Sequence, residues 1–396
     1  MCKLDHKEIG KQLDIFCFSE NVGKGLPMWL NNGVIIRDEL ISYLKKIQLR
    51  MGYQSVISPH IGNKKLYEIS GHYEKYKDHS FGEISCPDGE SYMLKPMNCP
   101  HHCQIYKNEP RSYRDLPLRL SEFGQVYRYE DSGSINGLLR ARGFCQDDAH
   151  LFCMEDQVES EISKIIQLVI QVFNKFNFKN YKAQISLRDN SSKYIGSDDN
   201  WNKSEKSLID ACIKNKLEYN IEKGEAAFYG PKIDFMVNDS LGREWQLGSI
   251  QLDYNLPERF DLLYVGSDSK MYRPVMIHRA PFGSLERFIA ILLEESQGNL
   301  PFWISPIQVS ILSVSEKSKN YASSIHDIML DSDIRAKLDN RNERLDRKIL
   351  DSKLYKVPYI VVIGKEEESN GYLSIRDRED NIYKMNINNF LEFIKK

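Results

Sequence analysis

The stretch Arg142-Gly143-Phe144-Cys145-Gln146-Asp147-Asp148-Ala149-His150 constrains this chain more than any other. It follows Arg128-Tyr129-Glu130, a polar turn from Asp131 to Gly137, and Arg140. That order reads as strand, loop and returning strand, with arginines on the first strand and in the loop. Side chains alternate across a strand, so Phe144, Gln146, Asp148 and His150 share one face. An aromatic ring, an amide, an acid and a metal-type ligand lie in line opposite arginines. They predict a pocket for a polyphosphate, a stacked base and a small polar molecule.

Composition sets the class. At 396 residues, 41% hydrophobic and 28% charged, the chain has room for two or three globular domains. A net charge of −2 gives no overall nucleic-acid signature, so any such contact must use local basic groups. No apolar run is long enough to span a bilayer, and Met1 to Asp14 lacks the apolar centre of a secretory signal. The cysteines are scattered without a disulfide-like framework, which fits a reducing, cytoplasmic setting.

Ile36, Leu40, Tyr43, Leu44, Ile47 and Met51 recur at helical spacing, and Gly52 stops the helix. Tyr53 to Ile57 then reads as a strand ending at Pro59, a combination that fits either a subunit contact or ordinary packing. Val158 to Phe176 is the clearest amphipathic helix. Strand-like runs follow at Gln184–Leu187, Lys232–Val237, Glu244–Gln251 and Phe260–Val265, and Ser284 to Glu295 reads as a helix. Short connections between successive strands favour an antiparallel sheet. Beyond Gly298-Asn299-Leu300-Pro301 the pattern changes to strand (Ile307–Leu312), helix (Lys317–Leu330) and strand (Ile334–Leu338). A helix (Leu345–Leu354) and a strand (Tyr359–Ile363) complete it. This alternation predicts a small α/β domain with a mixed or largely parallel sheet, so the boundary falls near residue 300.

Four groups of residues carry candidate chemistry. Arg128, Arg140 and Arg287 match phosphate oxygens through their planar forks, with Phe144 available to stack on a base. A lone arginine at the position of Arg287 would ordinarily be a solvated helix residue. Cys99, His150 and His278 make a three-ligand zinc set with one position open. Cys99, His102, Cys103, His150 and Cys153 could equally form a closed structural site, and buried free cysteines are a third reading. Tyr229, Lys232, Gln246 and Gln251 could face a polar ligand if the strand around Gly248 is bulged; otherwise the glutamines are exposed. In the last domain Asn342 and Glu343, with Arg341 and Arg344, and later Glu367 and Arg376, offer polar groups able to read bases, or form a solvated rim.

Several segments together carry a resemblance. They are Asp5-His6-Lys7 to Leu13, Lys95-Pro96-Met97-Asn98-Cys99-Pro100, Tyr113-Arg114-Asp115-Leu116-Pro117-Leu118-Arg119, and Arg142 to His150. Ala227-Phe228-Tyr229-Gly230-Pro231-Lys232, Met276-Ile277-His278-Arg279-Ala280 and Gly283 to Phe288 complete the set. From Asp5 to Lys396 the chain resembles the threonyl-tRNA synthetases of class II. The Cys, His, His trio separates that family from its prolyl, seryl and glycyl relatives.

The resemblance implies an α+β catalytic domain over residues 1–299, an antiparallel sheet flanked by helices. A three-layer α/β anticodon-binding domain with a mixed sheet would follow over 300–396. It implies a homodimer through residues 36 to 59. It also implies ATP-dependent activation of L-threonine to threonyl-adenylate and transfer to tRNA(Thr), the threonine–tRNA ligase reaction. One zinc per subunit would sit on Cys99, His150 and His278, and Mg²⁺ would accompany ATP. Asp148, Gln146, Tyr229, Gln251 and Met97 would line the threonine pocket. Arg128, Glu130, Arg140, Phe144, Gln246 and Arg287 would bind ATP, Lys232 would approach the α-phosphate, and His72 would assist transfer. Asn342, Glu367 and Arg376 would read the anticodon. Relatives carry an N-terminal editing region, and none is expected here. A catalytically inactive RNA-binding paralogue is the alternative. His101, Ala226 and Pro281 depart from the family pattern without removing a ligand.

Overall fold

The computed structural model of the chain describes residues 3–178, 181–191, 194–238 and 242–395. These divide into two compact units. One gathers the segment ending at Cys17, Met28–Tyr43 and the chain from Leu292 onward; the other comprises Phe18–Pro27 and Leu44–Ile291. That division differs from a single cut near residue 300, because N-terminal segments join the C-terminal unit.

Helix α1 (Asn31–Arg50) carries the predicted apolar stripe, with Ile36, Leu40 and Leu44 buried, and it ends before Gly52 at φ +77°. Strand β1 is shorter than the sequence implies, covering only Gln54–Ser55. The ladder stops because the Ser58 N–H bonds the Glu122 carboxylate, at 2.8 Å, rather than a backbone carbonyl. Helix α2 (Cys99–Lys107) precedes β2 (Leu118–Tyr127) and β3 (Gly143–Cys153). Helix α3 (Val158–Lys175) follows, then β4 (Tyr181–Leu187), β5 (Tyr219–Lys223), β6 (Lys232–Asn238), β7 (Glu244–Asp253), β8 (Val275–Ala280) and α4 (Leu285–Ser296).

The sheet order is β5-β4-β6-β7-β8-β3-β2-β1. The inner strands β4 to β2 pair antiparallel, and a parallel strand closes each edge. The expected antiparallel sheet is therefore present. The predicted strand Phe260–Val265 is not. Asp253 Oδ1 accepts the N–H groups of Asn255 and Leu256 and starts a helical turn over Asn255–Arg259. Asp261 then breaks the chain at φ +49°, and only Tyr264–Val265 remains extended.

In the other unit β9 (Val309–Ser313), α5 (Lys319–Asp331), β10 (Ala336–Asp339), α6 (Leu345–Leu354) and β11 (Tyr359–Ile363) reproduce the predicted alternation. A helix α7 (Lys365–Asn370), strands β12 (Leu373–Arg376) and β13 (Ile382–Met385), and helix α8 (Ile387–Lys395) complete it. The order β10-β9-β11-β12-β13 is parallel through β11 and antiparallel beyond, a mixed sheet over a core that includes Val309, Ile311, Ile325, Met329 and Phe390. Among the described residues no helix is long and apolar enough to cross a membrane.

Candidate active site

The neighbours β8 and β3 place His278 directly opposite His150, with ring centroids 4.7 Å apart and planes at 84°. Cys99 opens α2, where Pro100 suits a first helical turn. The ligand atoms of Cys99, His150 and His278 all lie within 4.8 Å of one another, and all three side chains are buried. A thiolate and two imidazoles at that separation fit a zinc ion with one position left open. Burial, then the charges of Asp148, Cys103 and Asp253, push the Cys99 thiol up, so a thiolate there calls for a cation beside it. Burial pushes the His150 imidazole well down, which keeps it in the neutral form that ligation needs.

The closed five-residue site is excluded by geometry. His102 turns Nδ1 to His150 Nδ1 at 2.7 Å, Cys103 Sγ faces Met276 Sδ at 3.9 Å, and Cys153 Sγ faces the Val275 carbonyl at 3.6 Å.

Cys99, His150 and His278 line a cavity of about 560 Å³ together with Met97, Arg128, Gln146, Asp148, Tyr229, Lys232, Gln246 and Gln251. Asp148 accepts from Asn98 Nδ2 at 3.0 Å, and its Oδ1 lies 3.7 Å from His150 Nε2. Burial pushes the Asp148 carboxyl up, against the Asn98 bond. Tyr229 stacks on His278 at 5.0 Å and donates to Gln251 Oε1 at 2.5 Å. Between β6 and β7 the register slips, Asp234 facing Ser249 while Met236 faces Gln246. The extra residue on β7 is a bulge around Gly248, and it turns Gln246, Ser249 and Gln251 all to the cavity.

A second cavity, about 130 Å³, shares Arg128, Gln146, Gln246, Ser249 and Ala280 with the first, and adds Glu130, Arg140, Phe144 and Arg287. The Arg128 guanidinium lies 5.2 Å from the Phe144 ring. Arg140 donates to Glu130 Oε2 at 2.9 Å. Arg287 donates to the Leu139 and Gln246 carbonyls at 3.0 and 2.8 Å. Burial, and then the charges of Arg128 and Arg140, hold Arg287 down at about 10, a cation that a bound polyanion would relieve. Lys232 donates to Asp234 Oδ2 at 2.5 Å, and Gln246 Nε2 to Asp234 Oδ1 at 2.6 Å.

His72 is buried beside this site rather than on its wall. Its Nδ1 lies 2.8 Å from Ser70 Oγ, and its Nε2 lies 3.0 Å from Met97 Sδ and 3.7 Å from Cys99 Sγ. In the other unit Asn342 lies in the exposed connection after β10, and Glu367 in α7, where it accepts the Gly364 N–H at 2.9 Å. Both follow the C-terminal ends of parallel strands. Arg376 closes β12 opposite Ile360, near the start of β11, so the topology separates it from the other two.

Residues 83–296 match the model of the tRNA synthetase class II core domain (G, H, P, S and T), and 308–396 that of the anticodon-binding domain. The RNA-binding domain of threonyl-tRNA synthetase from Cryptosporidium parvum superposes with a TM-score of 0.95. It is 35% identical, over 99% of this chain and 98% of that one. The chain belongs to the threonyl-tRNA synthetase family. Threonyl-tRNA synthetase ThrRS-1 from Aeropyrum pernix aligns at a TM-score of 0.85 and 31% identity, over 99% and 96% of the two chains. The curated threonine–tRNA ligase of Flavobacterium johnsoniae is 56% identical over 94% of this chain, and the chain spans 58% of that relative's length.

Within this threonyl-tRNA synthetase scaffold, several site residues escaped the sequence reading. Asn98, Asp234 and Asp253 hold candidate ligand or substrate groups from behind; His102, read only as a ligand of a closed site, holds His150, and Glu122 in turn holds His102. Alternation along β2 puts Glu122 on the same face as Leu120, opposite His150, and that was the available signal.

Proposed function

We propose that the chain activates L-threonine with ATP and transfers it to tRNA(Thr), selecting the amino acid at a zinc centre. The observation that carries this reading is the buried Cys99, His150 and His278 set, in a cavity that shares walls with the Arg128, Arg287 and Phe144 cavity. Cys99, His150 and His278 would hold a zinc ion there, and the ion would supply Lewis-acid binding of the amino and hydroxyl groups of the amino acid. Asp148 accepts from the hydroxyl, held for that by Asn98. The substrate carboxylate is already a nucleophile, so activation needs alignment and charge neutralisation rather than a strong base. A carboxylate oxygen bonds to the α-phosphorus of ATP, the bond to the bridging oxygen breaks, and pyrophosphate leaves. Arg128 and Lys232 face the α-phosphate, Arg140 and Arg287 the γ-phosphate, Phe144 the adenine, and Glu130 and Gln246 the nucleotide. Mg²⁺ enters with ATP.

In transfer a ribose hydroxyl of the tRNA attacks the acyl carbon and AMP leaves. His72 assists through its place beside Cys99 and against Phe228 and Tyr229. Asn342, Glu367 and Arg376 contact anticodon bases. The chain pairs with a second copy through the region of α1 and β1, where Leu49 and Ile57 are 75% and 93% exposed. Free thiols at the described cysteines fit a cytoplasmic setting.

The test is ATP–pyrophosphate exchange with each of three amino acids. Threonine drives exchange. Valine, which brings no hydroxyl to the zinc ion or to Asp148, falls short by ~10⁴, while serine loses only a methyl contact, worth roughly 1–3 kcal/mol. Absence of threonine-dependent exchange, or valine performing as well as threonine, contradicts the reading.

A further inference from the structure

The two imidazoles of the candidate metal set are held from behind in different ways. His278 turns Nε2 to Asp253 Oδ2 at 2.9 Å, and the other oxygen of Asp253 is fixed by two backbone N–H groups. That carboxylate only accepts, so the proton sits on Nε2 and the lone pair on Nδ1. Among the described residues no carboxylate meets His150 Nδ1. Its Nδ1 lies 2.7 Å from His102 Nδ1 instead, and His102 Nε2 lies 3.0 Å from Glu122 Oε2. His102 is fully buried, His150 and Glu122 nearly so.

The protons along this chain can be assigned. Glu122 is an anion. It accepts the Ser58 N–H at 2.8 Å and the Ser58 hydroxyl, and Lys95 Nζ stands 3.4 Å from Oε1. His102 Nε2 therefore carries a hydrogen and donates it to Glu122. The Lys95 ammonium already balances that carboxylate, so a second buried cation on His102 would stand uncompensated. His102 Nδ1 is then a bare acceptor, and the only hydrogen available to the 2.7 Å contact is on His150 Nδ1. This leaves the His150 lone pair on Nε2, the atom 3.7 Å from Asp148, which lines the cavity.

We infer that His102 is a positioning residue, a relay that carries the acceptor character of Glu122 to His150 and fixes the tautomer able to ligate through Nε2. The inference rests on the zinc reading above and assigns a role to a side chain outside the ligand set. One helix supplies both parts: Cys99 opens α2, and His102, three residues on, lies on the same face one turn later.

The test uses zinc affinity of the full chain, measured by chelator competition, with the visible spectrum of the cobalt-substituted protein as a second readout. In His102→Gln the amide nitrogen reaches the place of Nε2 and keeps the Glu122 bond, but nothing remains at the place of Nδ1. In His102→Asn the side-chain carbonyl occupies the place of Nδ1 and accepts from His150. The relay predicts that His102→Gln weakens zinc binding by about 10–100-fold and shifts the cobalt bands. It predicts that His102→Asn stays close to wild type. Equal losses in both variants mean that His102 only fills space, and unchanged affinity in His102→Gln means that it does nothing for the metal; either result overturns the relay. If a His102 variant fails to fold, Glu122→Gln made with Lys95→Met carries the same test. The carbonyl of the introduced amide must face the Ser58 N–H, so its NH₂ faces His102 and reverses the proton order; a folded double variant with wild-type affinity overturns the proposal. A wild-type chain that takes up no zinc overturns the zinc reading as well, which separates the two failures.

Discussion

At the scale of single residues, the site depends on side chains that shape others. Gly124 lies opposite Gln146 on β2, and a Cβ there would come within 2.4 to 2.6 Å of the Asn98 amide. Gly124→Ala therefore displaces Asn98 from Asp148. The expected outcome is a loss of about 1–3 kcal/mol in stability by thermal unfolding, together with a raised KM for threonine. Arg287 donates from Nε and from Nη1 to two carbonyls, which fixes its guanidinium plane. A lysine cannot reproduce that fork. Arg287→Lys should lower threonine-dependent exchange by roughly 10²-fold with little change in threonine binding, as measured by steady-state kinetics. The alternation of 144, 146, 148 and 150 was legible because a strand fixes the face of every second residue. Asn98 was not, because its importance comes from a contact with Asp148 that spacing along the chain does not encode.

At the scale of elements, the strands were easier to foresee than their ends. The apolar stripe of α1 and the strand–helix alternation after residue 300 follow from periodicity, and the structure reproduces both. The break after β1 and the helical turn at Asn255–Arg259 depend on the Glu122 and Asp253 carboxylates taking backbone N–H groups. No local pattern announces that. Helix Asp198–Lys214 is hard to read from the sequence because its mean hydropathy is low, although Trp201, Ser204, Leu208 and Ala211 are buried at helical spacing. The Glu122 junction also sets a pH response. Burial alone would raise its carboxyl, but the His102 bond, the Ser58 N–H and the Lys95 charge hold it at about 2 against an ordinary 4.5. A depressed carboxyl contributes stability that is complete above 4.5 and is lost as pH falls to about 2. Urea unfolding across that window should show a shallower acid limb for Glu122→Gln made with Lys95→Met than for the wild type.

At the scale of the molecule, the most exposed large apolar side chains of the α1–β1 region have no cover among the described residues. Leu49 and Ile57 are the clearest. Leu49→Asp with Ile57→Asp should shift the chain from dimer to monomer in sedimentation velocity while leaving its circular dichroism unchanged. A wild-type monomer at micromolar concentration contradicts the assignment of that surface. The most direct measurement of the metal's role is threonine-dependent ATP–pyrophosphate exchange before complete zinc removal by a chelator, after it, and after zinc is restored. Exchange should disappear with the metal and return with it. Full exchange in protein shown to hold no zinc would contradict the zinc reading.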